Sequence, residues 1–184
     1  MAVSIRDARN SAADRQYIKK AFADYLDDLT LVNMNTGIFP AFGGDDVEFG
    51  DRQPEMMARW FADDSSHPLV ILRNEVPVGF ALVSRPVMKR SESPEYRLSE
   101  FFVSKSARRL GVGREAAQLI FNRFQGSWEI TEIMRNQPAV AFWRSVVGRY
   151  TQGDFREAVK QGEIHHLFKT QLSTQQRRPS ASPR

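Results

Sequence analysis

The sequence contains no cysteine. That excludes disulfides, thiolate metal sites and any covalent route through a cysteine thiol. Histidine is scarce as well, limited to His67, His165 and His166, at spacings that do not suit a zinc site. No metal is expected. No apolar run approaches the roughly 18 residues of a bilayer span. The first ten residues carry Arg6, Asp7 and Arg9 without an apolar stretch. No secretory leader and no membrane partner are therefore expected, and the protein reads as cytoplasmic. Acidic residues are missing from Ser173 to Arg184, which instead holds Arg177, Arg178 and Arg184. Setting that tail aside takes the formal net charge from +4 to +1. The basicity is a tail property, and nucleic acid is not an expected partner of the folded part.

What is present is an ordinary globular composition, 41% apolar and 26% charged over 184 residues. That suffices for one domain with a real core. Val3 to Arg6 reads as a first strand. Ser11-Ala-Ala-Asp14 has the spacing of a capping box, and Ile18, Ala21, Phe22, Tyr25, Leu26 and Leu29 follow it at helical spacing. A shorter helix begins near Pro54, with Met57, Trp60 and Phe61 on one face. Leu69 to Leu72 and Val78 to Val83 form a hairpin, and Tyr96 to Val103 is a further strand. A helix opens at Gly111-Val112-Gly113, with Ala117, Ile120, Phe121 and Phe124 on its face. Trp128 to Met134 reads as a strand and Ala139 to Val147 as a helix. Asp154 to Ala158 and Ile164 to Lys169 close the order as a hairpin around Gln161-Gly162. The order β-α-α-β-β-β-α-β-α-β-β predicts an α/β (α+β) domain. Its strand–helix–strand crossover implies parallel pairing inside an otherwise antiparallel sheet. The expected domain spans residues 1–172. Residues 173–184 form a basic tail too poor in apolar side chains to fold.

The stretch from Glu100 to Arg114 carries the most chemistry. An apolar strand ends at Val103, a short polar loop follows, and two glycines separated by one residue stand where a helix begins. The first turn of a helix has unpaired N–H groups and a partial positive charge. Glycine lets a phosphate approach the backbone. Lys105, Arg108, Arg109 and Arg114 add positive charge. The loop lacks the Gly-Lys-Ser/Thr of a P-loop and the Gly-x-Gly-x-x-Gly of a dinucleotide fold. The plainer reading is a basic turn with a glycine helix start.

Arg108, Gly111 and Gly113 fill the defined positions of Gln/Arg-x-x-Gly-x-Gly/Ala. The segment thus resembles motif A of the GNAT superfamily of N-acetyltransferases. Asn136-Gln-Pro-Ala139-Val-Ala-Phe142-Trp143 through Gly148 and Tyr150 resembles the same family's motif B. The resemblance covers about Val3 to Gln171. It implies a mixed central sheet of about six to seven strands flanked by about four helices, with acetyl-CoA as co-substrate.

It also implies roles. The last strand before the loop would splay from its neighbour, and Phe101, Phe102 and Val103 would pair with the pantetheine arm. The Val103 N–H would stabilise the oxyanion. Arg108, Arg109, Leu110, Gly111, Val112, Gly113 and Arg114 would hold the pyrophosphate, and Asn136 would bond the cofactor arm. Glu100 is the candidate base that takes the proton of the attacking amine; its other reading is a solvated strand glutamate. Trp143 departs from the pattern, because many related enzymes place a tyrosine there to protonate the thiolate, and an indole is not a usable acid. Either the step is slower, or Tyr96 or another group substitutes, or catalysis is lost. Trp143 also lies on the apolar face of its helix, which favours packing.

The resemblance implies an acceptor, a small amine or a protein amine, bound between the first helices and the later strands. Asn33 to Asp51 supplies Asp45, Asp46, Glu48 and Asp51 with Phe39, Phe42 and Phe49 interleaved, a rim suited to a cation or simply a solvated loop. Two other readings compete with N-acetyl transfer. One is a non-catalytic acyl-CoA-binding module; the other is an interaction protein acting through the Arg-rich tail.

Overall fold

The computed structural model describes residues 2–36, 53–86 and 93–170. The acceptor stretch expected around Asp45, Asp46, Glu48 and Asp51 and the tail from Ser173 lie outside the described residues. The elements are β1 (Val3–Asp7), α1 (Ala12–Thr36), α2 (Gln53–Ala62), β2 (Ser66–Arg73), β3 (Val76–Ser84), β4 (Tyr96–Val103), α3 (Val112–Arg123), β5 (Ser127–Ile133), α4 (Gln137–Tyr150), β6 (Phe155–Lys160) and β7 (Glu163–Lys169). They form one mixed seven-stranded sheet in the order β1-β2-β3-β4-β5-β7-β6. The order of elements read from periodicity is the order found.

Local signals explain most boundaries. The Ser11 hydroxyl accepts from the Asp14 N–H at 3.2 Å, which starts α1. The Asp14 carboxylate does not close the capping box; it takes two hydrogen bonds from Arg6 of β1, each 2.7 Å. Asn74-Glu75 and Gln161-Gly162 both have positive φ, the turn that lets a two-residue link match the twist of a hairpin.

The sheet separates two packed layers. On one side Ile18 and Phe22 of α1 and Met57 and Trp60 of α2 bury Val70, Leu72, Phe80, Leu82 and Phe102. On the other, Ala117, Ile120 and Phe121 of α3 and Trp143, Val146 and Val147 of α4 bury Leu69, Ala81, Leu98, Trp128, Ile130 and Phe168. Among the described residues no helix is long and apolar enough to cross a membrane.

Two irregularities position the site. Along β3 and β4 the register passes from Leu82↔Glu100 to Val83↔Leu98, so Ser99 is an extra residue. A bulge of this kind reverses the side-chain phase of the strand beyond it. Tyr96 and Leu98 face the α3 layer, and so do Phe101 and Val103. Glu100 and Phe102 face α1 instead. The second is the close approach of β3 and β4 at Gly79. A Cβ there would lie 2.2 Å from the Phe102 carbonyl oxygen and 3.1 Å from the Val103 Cα. Both are backbone atoms, so β4 would have to move. Gly79→Ala is expected to cost about 1–3 kcal/mol as overpacking, read as a Tm lowered by roughly 2–10 °C. An unchanged Tm would contradict the close approach.

Candidate active site

The parallel ladder between β4 and β5 is short. It pairs Tyr96 with Trp128, Arg97 with Glu129 and Leu98 with Ile130, and then stops. Beyond it β4 continues to Val103 and β5 to Ile133, so the two strands part and leave a slot. Antiparallel pairing fixes which β4 groups face it. The Ser104 N–H donates to the Val78 carbonyl at 2.8 Å, and with the register Gly79↔Val103 and Phe80↔Phe102 the hydrogen-bonded pairs alternate. The N–H and C=O of Phe102 are therefore directed at β3, and those of Phe101 and Val103 at the slot. The expectation that all three residues offer backbone groups is corrected to two, because a strand gives alternate residues to each neighbour.

At the end of β4 the chain runs through a 3-10 turn, Lys105–Ala107, to Arg109 (φ 60°) and Gly111 (φ 82°), which opens α3. Gly111 has no side chain to cap the helix. The Glu115 N–H is the first to bond back, to the Gly111 carbonyl at 3.1 Å. Among the described residues, the N–H groups of Arg109, Leu110, Gly111, Val112, Gly113 and Arg114 have no hydrogen-bond partner. Six consecutive free donors at a helix start form an anion nest. Gly113 serves packing as well: a Cβ there would press within 3.2 Å of the Phe142 ring.

The cations divide into two groups. Arg108 does not point at the nest. Its Nε donates to the Val103 carbonyl at 2.7 Å, its Nη2 bonds Asp28 of α1, and its guanidinium lies 5.6 Å from the centre of the Phe102 ring. Lys105 also reaches Asp28, at 3.2 Å. Burial pushes the Asp28 carboxyl up, but the hydrogen bonds and charges of Arg108 and Lys105 outweigh it and hold it below the usual value. The Arg108 N–H is spent on the Lys105 carbonyl. Arg108 is thus a staple between α1, β4 and the loop, and the cations left for an anion are Arg109 and Arg114. Sequence spacing could not reveal this, because Asp28 lies 80 positions away.

Glu100 faces α1, half-buried, where the Tyr25 hydroxyl donates to its Oε2 at 2.6 Å. Burial pushes its carboxyl up to about 7, against the pull of that hydrogen bond. Such a group changes charge near neutrality, as a general base must. Tyr25 is legible in the sequence only as part of the apolar stripe of α1; its partnership spans 75 positions and leaves no local signal.

On the other face Trp143 is buried, edge-on to Phe101 (5.0 Å between centroids) and to Phe142 (4.8 Å). Its place is in the core. Tyr96 cannot stand in as the acid. It lies seven residues before Val103, roughly 20 Å along the strand, and its hydroxyl accepts from Arg85 at 2.9 Å. Asn136 is the N-cap of α4, its Oδ1 accepting from the Ala139 N–H at 3.4 Å. The cap leaves the Asn136 amide N–H groups available. A cavity of about 420 Å³ lined by Ser93, Ser127, Asp154 and Lys169 opens at the far end of β5, remote from this slot.

The model of the acetyltransferase (GNAT) family matches residues 30–148. The chain belongs to the GNAT family. The match runs from the last turns of α1 into α4 and includes both the slot and the nest. Solved GNAT-type structures share the fold at low identity. An acetyltransferase from Thermus thermophilus superposes with a TM-score of 0.65 at 14% identity, covering 92% of this chain and 97% of that one. A protein from Corynebacterium glutamicum, described as histone acetyltransferase HPA2 and related acetyltransferase, gives 0.60 at 16%, covering 95% and 99%. The Campylobacter jejuni N-acetyltransferase PseH gives 0.53 at 10%, covering 92% and 99%. No curated protein matches the chain in sequence.

Proposed function

We propose that this GNAT protein transfers an acetyl group from acetyl-CoA to the primary amine of a small molecule or a protein, by direct attack in a ternary complex. The observation that carries the reading is the run of six free N–H groups at the end of a strand that has parted from its parallel neighbour. A pyrophosphate fits the nest, with Arg109 and Arg114 beside it. An amide-bearing arm fits the slot, toward which Phe101 directs its N–H and C=O and Val103 its N–H, the Val103 carbonyl already accepting from Arg108.

In this reading the Val103 N–H faces the thioester oxygen and stabilises the charge that develops there. The amine nitrogen bonds to the carbonyl carbon, the C–S bond breaks, and CoA leaves as the thiolate. Glu100 takes the amine's proton. It lies three residues before Val103, about 10 Å along the strand, so the proton travels through water. The Asn136 amide donates to the arm from the α4 side. A thiol with a pKa of about 8.5 leaves readily as the anion, so a buried tryptophan in place of an acid at position 143 is tolerable. General-acid help is worth about 10²–10⁴-fold at most sites, and turnover is expected to be correspondingly modest.

The test is CoA thiol release from acetyl-CoA over a panel of small amines, amino acids and peptides. The chain has no cysteine, so a thiol reagent reports released CoA alone. Amine-dependent release supports the proposal. Tight acetyl-CoA binding with no release on any amine would favour a non-catalytic acyl-CoA-binding module.

A further inference from the structure

A second residue bears on the base, and it comes from a different element. Tyr25 stands on α1 with its ring inside the apolar layer, 5.6 Å from Phe22, 5.8 Å from Phe80 and 6.0 Å from Phe102 between centroids. Its hydroxyl alone leaves that layer, and it donates to Glu100 Oε2 at 2.6 Å. A phenol held in this way fixes one carboxylate oxygen and with it the orientation of the carboxyl.

We propose that Tyr25 is the positioning residue of the Glu100 base: it holds Oε2 and so sets the orientation of the carboxyl against the aromatic layer, favouring its charged form. The inference deepens the acyl-transfer reading and rests on it. Donation to the charged form of an acid favours that form. It opposes the burial that pushes the Glu100 carboxyl up, and burial together with the Glu100 charge pushes the Tyr25 phenol up in turn. Tyr25 therefore stays protonated and is a fixed donor at all working pH.

Among the described residues, neighbouring charged groups of α1 and β4 are committed elsewhere. Asp28, one turn along α1, is paired with Lys105 and Arg108. Arg97, on β4 itself, is paired with Glu129 of β5. β3 places Leu82 opposite Glu100, and α2 contributes Met57 and Trp60 to the layer. Among the described residues Tyr25 is the titratable group in contact with the Glu100 carboxylate.

The variant is Tyr25→Phe, which keeps the ring and removes the donor. Tyr17→Phe, on the same helix and half-buried, is the control. Two readouts are taken: the pH profile of kcat/KM for the amine, and the titration of the Glu100 carboxyl by carbon NMR in purified protein. In Tyr25→Phe the base limb of the profile is expected to move to higher pH. kcat/KM at pH 6.5 should fall about 10-fold, the loss of one hydrogen bond to a charged group. KM for acetyl-CoA should not change, and Tyr17→Phe should follow the wild type. The NMR titration of Glu100 should move in the same direction. A Tyr25→Phe profile and titration that superimpose on the wild type would reduce Tyr25 to a packing residue and overturn the inference. A wild type that releases no CoA on any amine would instead defeat the acyl-transfer reading, and the NMR arm would still decide whether Tyr25 governs the carboxyl.

Discussion

Glu100→Gln is expected to lower kcat by about 10²–10⁴-fold, the usual worth of a general base, with acetyl-CoA affinity unchanged. The amide keeps the shape of the carboxylate and still accepts from Tyr25, so the fold is spared. The same change carries a second signature with a definite sign. The folded-state pKa of Glu100 is about 7, and an unfolded glutamate titrates near 4.3. The folded state therefore binds a proton that the unfolded state has released. The contribution to stability is full below about pH 4, declines as pH rises, and is lost above pH 7. The variant does not titrate, so its Tm should approach and then exceed that of the wild type as pH rises from 5 to 8. The gain is at most about 4 kcal/mol, and less because the group is only half-buried. An inactive variant with a stability curve parallel to the wild type would place the burial of Glu100 in doubt. A fully active one would remove Glu100 from the chemistry.

Gly111→Asp combined with Gly113→Asp is expected to weaken acetyl-CoA and CoA binding by about 10²–10⁴-fold. The figure follows from losing two charge-assisted hydrogen bonds at roughly 1.5–3 kcal/mol each. Carboxylates in the nest also repel the pyrophosphate. Because a Cβ at Gly113 meets the Phe142 ring, packing is disturbed as well, and a second variant separates the two effects. Arg109→Glu with Arg114→Glu touches no packed ring and reverses the two cations that remain at the loop. It too should lose affinity, with Tm little changed. If calorimetry showed the charge-reversed protein binding CoA as the wild type does, the nest would not be a pyrophosphate site. Arg108→Ala should behave differently: it breaks the staple to Asp28 and Val103, and stability should fall along with binding.

The fold is legible in the sequence because its signals are local. The stripes of α1, α3 and α4, the hairpin turns at Asn74-Glu75 and Gln161-Gly162, and the strand–glycine–helix passage at Val103 to Gly113 each sit within a few residues. The family resemblance implies the slot, but its details depend on pairings across the sheet. The extra residue Ser99 turns Glu100 toward α1, and alternation hands the Phe102 backbone to β3. Nothing local announces either. Arg108 reads as one of four loop cations until Asp28 arrives from α1. Tyr25 reads as a core residue until β4 brings Glu100 beneath it. Long-range pairing, rather than residue type, decides these roles, and a single sequence carries no direct record of it.

Calorimetric titration of acetyl-CoA, CoA and ATP into the wild-type protein tests the central claim most directly. The account predicts saturable one-to-one binding of acetyl-CoA and of CoA, no comparable binding of ATP, and loss of the first two in the loop variants. Failure of the wild type to bind either acetyl-CoA or CoA would contradict it.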